Sequence, residues 1–110
     1  MEDEEFEEHV RAALDSLPED LARGLENVAV VIEDESPEDP GILGSFFGHP
    51  HGERTPPGAL PAKIVVYPRP LEEAFPDPHE LEREIRITVL HELAHYFGID
   101  EDRIAELGYR

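Results

Sequence analysis

The segment DPHELEREIRITVLHELAHYFG, Asp77–Gly98, decides how the rest of the chain is read. Asp77 is a good N-cap, and Pro78 suits the first helical position, where no backbone N–H is needed. Glu80 adds a carboxylate to the first turn, beside the positive end of the helix dipole. Gly98 supplies the left-handed conformation that ends many helices. Between these signals, Ile85, Val89, Leu90, Leu93, Ala94, Tyr96 and Phe97 spread over a wide apolar arc at about 100° per residue. Glu84, Thr88, His91 and His95 fall together on a narrow polar strip opposite. The spacing predicts one long helix, largely buried, with that strip facing a cleft or solvent.

Within the helix, His91-Glu92-Leu93-Ala94-His95 is an H-E-x-x-H sequence. Two histidines one turn apart point the same way, and both imidazoles reach one zinc ion at about 2.0–2.1 Å. Glu92 lies about 100° around the helix from His91, off the two-histidine strip. In such a motif it acts as general base rather than as a ligand. A catalytic zinc takes three protein ligands and leaves a fourth position open. The chain has no cysteine, so a third ligand comes from a carboxylate or another histidine. Three residues past Gly98 stands Glu101, flanked by Asp100 and Asp102, with Glu106 five residues further on. Glu101 holds the expected position, and the other three carboxylates remain alternatives. A methionine turn is excluded, because Met1 is the only methionine.

Upstream, Phe6, Val10, Ala13, Leu14 and Leu17 recur at helical spacing within an acidic segment, predicting an amphipathic helix over residues 2–17. Pro18 starts a short second helix. VAVVIED, Val28–Asp34, and AKIVVYP, Ala62–Pro68, are rich in β-branched residues and read as buried strands. The second of these, at Ile64–Tyr67, offers an edge to an extended peptide. Residues 34–61 are punctuated by proline and glycine, with one short strand or turn expected around ILGSFFG. RPLEEAF reads as a turn or brief helix, and a last helix is expected over residues 101–107. His49 and His51 in GHPHGER are read as loop histidines, and His9 and His79 as surface residues. Tyr67, Tyr96 and Tyr109 are candidates for stabilising an oxyanion, with Tyr96 placed on the apolar arc and so in the core.

One domain over residues 1–110 suits this length. The formal net charge of -18 disfavours nucleic acid and favours cations and basic peptides. No basic start with an apolar run marks a signal peptide, and no stretch is long and apolar enough for a membrane span. The expectation is a soluble cytoplasmic protein with no membrane partner. The lack of cysteine accords with a reducing compartment.

ALPAKIVVYPRPLEE and REIRITVLHELAHYFGIDEDRIAELGY together resemble the small bacterial zincin-like metallopeptidases, or minimal zincins. EEFEEHVRAALDSLPEDLARGLENVAVVIEDE and LGSFFG match as well, so the resemblance extends over nearly the whole chain. It implies an α+β fold in which N-terminal helices and a small sheet pack on a C-terminal active-site helix. It also implies a zinc-dependent peptidase whose substrate is a peptide or protein. The family pattern H-E-x-x-H-x-x-G-x-x-D assigns His91, His95 and position 101 to the metal and Glu92 to catalysis. Glu101 departs from it, since the family has Asp there. The competing expectation is a weakly active or inactive acidic module that binds metal or a protein partner.

Overall fold

The computed structural model describes residues 1–50, 56–106 and 108. In chain order, helices α1 (Asp3–Asp15) and α2 (Glu19–Ala22) lead through a 3-10 turn (Arg23–Asn27) into strand β1 (Val28–Ile32). Strands β2 (Gly44–Phe47) and β3 (Ala62–Val66) follow, then helices α3 (Pro68–Ala74), α4 (Pro78–Tyr96) and α5 (Glu101–Glu106). The architecture is α+β.

The three strands form one sheet in the order β1-β3-β2. β1 runs parallel to β3, with Val30 opposite Ile64, and β2 runs antiparallel to it, with Phe46 opposite Ile64. The chain therefore lays down both flanking strands before the central one. Ile64, Val65 and Val66 are at most 1% exposed, as a central strand with a neighbour on each side requires. Ile64–Tyr67 consequently offers no free edge, which corrects the expectation from sequence. β1 has one neighbour and is only half-buried, so its β-branched run marks a flanking strand rather than a fully buried one. Among the described residues, β2, drawn from the proline- and glycine-rich segment, is an outer strand with one neighbour.

α4 packs on β2, β3 and α1. Its Leu81, Ile85, Val89, Leu93 and Tyr96 join Phe6, Val10 and Ala13 of α1 and Ile64 and Val66 of β3 in one apolar core. Tyr96 donates its hydroxyl to the Gly24 carbonyl at 3.1 Å, so its polar tip is satisfied inside that core, as the helical spacing placed it. Tyr67 is equally buried, with its hydroxyl on Ser45 Oγ at 3.2 Å. That contact fastens β3 to β2 and removes Tyr67 from the oxyanion candidates. Tyr109 and His51 lie outside the described residues. Among the described residues, no helix is long and apolar enough to cross a membrane.

Candidate metal centre

Both ends of α4 are built as their residues dictate. The Asp77 carboxylate accepts the Glu80 N–H at 3.0 Å, and Pro78 occupies the first turn. At the other end the Gly98 N–H donates to the His95 carbonyl at 3.0 Å, and the Ile99 N–H donates to the Ala94 carbonyl at 2.9 Å. This pair is the Schellman arrangement, and it places Gly98 at φ +76°, where a side chain is strained. The chain reverses there.

Asp100 then starts α5 by accepting the Arg103 N–H on its carboxylate at 2.9 Å. Ile104, fully buried, anchors the short helix to the protein. With α5 held at both points, Glu101 is swung over the histidines. Its Oε1 lies 2.9 Å from His95 Nε2 and 3.8 Å from His91 Nε2. The two Nε2 atoms are 3.1 Å apart. Three donor atoms from two helices thus converge on one point.

Two of the alternative carboxylates are otherwise engaged. Asp100 serves as the helix cap. Glu106 pairs with Arg103 at 3.0 Å, and Asp102 is exposed. His91, Glu92 and His95 also form a group able to hold a metal ion, their ligand atoms lying within 4.8 Å of one another. Of the two glutamates, Glu101 makes the tighter triangle with the imidazoles.

Glu92 occupies a different environment. It is 8% exposed, packed beneath the start of β2. Burial pushes its carboxyl pKa above the usual 4.5; the His91 and His95 imidazoles pull it back down, and Glu101 adds a smaller upward push. The packing is close: a Cβ on Gly44 would sit 2.8 Å from Thr88 Cγ2, 3.1 Å from Glu92 Cγ and 3.3 Å from Glu92 Oε2. Gly44 and Thr88 therefore help to place Glu92, a role the sequence reading did not give them. The signal available was a glycine directly before the β-prone run SFF.

Among the described residues, no other histidine joins the group able to hold a metal ion. His9 approaches Glu82 at 3.9 Å, and with His79 it lines a groove between α1 and α4. His79 is exposed as expected, whereas His9 and His49 are half-buried.

A family model for zincin-like metallopeptidases matches residues 25–109. The chain belongs to that family. Among solved structures, this zincin-like chain is similar to a conserved hypothetical protein from Thermo thermophilus. The two are 28% identical, the match covers 94% of this chain and 97% of that one, and the TM-score is 0.61. A comparison with curated proteins finds no match. The metal-capable group, the α+β architecture and the family thus agree on a metallopeptidase-type site.

Proposed function

We propose that the chain is a zinc-dependent metallopeptidase, with His91, His95 and Glu101 as ligands and Glu92 as general base. The observation that carries this reading is the donor triangle. Ligands at about 2.0–2.1 Å from a tetrahedral zinc stand about 3.3–3.4 Å from one another. The three separations of 3.1, 2.9 and 3.8 Å bracket that value. Two imidazole nitrogens and one carboxylate oxygen are also a donor set zinc accepts in catalytic sites. The shift from Asp to Glu at position 101 is accommodated because the longer side chain reaches from the first turn of α5.

Zinc bound there supplies a Lewis acid and a water of lowered pKa. The chain's own residues do the rest. The Glu92 carboxylate takes a proton from the attacking water, holds it on one oxygen, and delivers it to the leaving amine. Gly44 and Thr88 limit the movement of Glu92 while it does so. Among the described residues β2 is an outer strand whose first residue lies against Glu92, so its outer edge is suited to an extended peptide, paired as an added strand. The net charge of -18 favours approach of a basic peptide or protein.

The test is cleavage of a broad peptide library by zinc-loaded protein, compared with Glu92→Gln. Hydrolysis by the wild type alone, with zinc retained by both, supports the reading. Zinc binding with no hydrolysis of any peptide would transfer support to the acidic binding module.

A further inference from the structure

A cleft of about 310 Å³ opens beside the histidines, between α4 and the segment that enters β2. His91 and Glu92 line one part of it. From there it follows the polar strip of α4 past Thr88 to Glu84, seven residues or about 10 Å along the helix axis from His91. Ile42 and Leu43 on one side and Ile87 on the other make its walls apolar. Glu84 is half-buried, and among the described residues its carboxylate has no hydrogen-bond or ion-pair partner. The nearest cations in sequence, Arg83 and Arg86, face the α1 groove instead. The cleft therefore joins the metal centre to an uncompensated carboxylate through an apolar passage.

That combination matches one kind of side chain. A lysine or arginine lays its apolar stem along hydrophobic walls and presents its charge at the far end. A neutral aliphatic side chain would fill the walls and leave Glu84 unpaired. An acidic one would meet Glu84 with like charge. Resting on the metallopeptidase reading above, we propose that this cleft is a specificity pocket for a basic side chain beside the scissile bond. Glu84 is its anionic end.

The probes are hydroxamates carrying lysine or norleucine on either side of the chelating group, titrated calorimetrically into the zinc-loaded full chain. The quantity read is the lysine-to-norleucine affinity ratio within each variant. In at least one orientation the wild type should prefer lysine by about fivefold or more, roughly 1 kcal/mol. The ratio should fall to about one in Glu84→Gln and turn toward norleucine in Glu84→Lys. No preference in either orientation, or a preference that survives both substitutions, would overturn the proposal. Zinc binding without hydroxamate binding would overturn the pocket and leave the metal reading intact. Failure to bind zinc at all would remove the metal reading and the pocket with it.

Discussion

Replacing Gly44 by alanine adds one methyl group where β2 presses on α4. The new Cβ would stand 2.8 Å from Thr88 Cγ2 and 3.1 Å from Glu92 Cγ. Carbon atoms pack best at about 3.5–4.0 Å, so a displacement of about 0.7 Å or more is required. The neighbours cannot yield freely. Thr88 is β-branched and buried on a helix whose reverse side lies in the core, and Glu92 is buried beside it. Overpacking of this kind costs about 1–3 kcal/mol. In a chain of this length that corresponds to a fall in Tm of about 4 °C or more for each kcal/mol. Thr88→Ser removes the offending methyl, so the double substitution should recover about 0.5 kcal/mol or more relative to additivity. The assay is urea unfolding of the metal-free wild type, both single variants and the double variant. A Gly44→Ala protein as stable as wild type, or a strictly additive pair, would refute the close packing of β2 on Thr88 and Glu92. Where hydrolysis is measurable, Gly44→Ala should depress it through displacement of Glu92, by up to about 100-fold for a misplacement near 1 Å.

Three further outcomes are expected. Gly98→Ala should destabilise by about 1–2 kcal/mol in thermal unfolding although no atom obstructs the added Cβ, because the penalty comes from φ +76° alone; an unchanged Tm would contradict it. Glu92→Gln should stabilise the metal-free protein at neutral pH. The folded-state pKa is raised, so folding favours protonated Glu92, and that contribution is lost as pH rises from about 4.5 through the folded value. Each unit of upward shift is worth about 1.4 kcal/mol, and the advantage of Gln should vanish below about pH 4.5; a less stable Glu92→Gln at pH 7 would reverse the sign. Asp100→Ala should speed hydrogen exchange at the Arg103 amide through loss of a cap worth about 1 kcal/mol, while weakening zinc binding less than Glu101→Ala does.

The parts of this molecule written locally were open to reading. Asp77, Pro78 and Gly98 bound α4 by short-range chemistry, and the apolar period between them fixes which side is buried. The position of Glu101 follows from the same local logic, since Gly98 reverses the chain and Asp100 starts the next helix at once. Strand order was not legible, because it depends on which distant segments pair. VAVVI and AKIVV look alike in composition, yet one flanks the sheet and the other is its centre. β2 was legible only as a short strand or turn around ILGSFFG: GSFF sits among prolines and glycines, and its pairing with β3 is what makes it a strand. The burial of Glu92 shared that obscurity. Helical angles place it between the strip and the apolar arc, and what covers it arrives from Gly44, 48 positions earlier in the chain.

A competitive zinc titration of the wild type, His91→Ala, His95→Ala, Glu101→Ala and Glu92→Gln, run near neutral pH and repeated on acidification, separates ligand from base. One zinc per chain should bind to the wild type and be lost as the histidines protonate. Either histidine substitution should abolish tight binding, Glu101→Ala should weaken it strongly, and Glu92→Gln should retain it. If Glu92→Gln lost zinc as severely as a histidine variant while Glu101→Ala kept it, the buried glutamate would be the third ligand. The proposed division of roles would then be wrong.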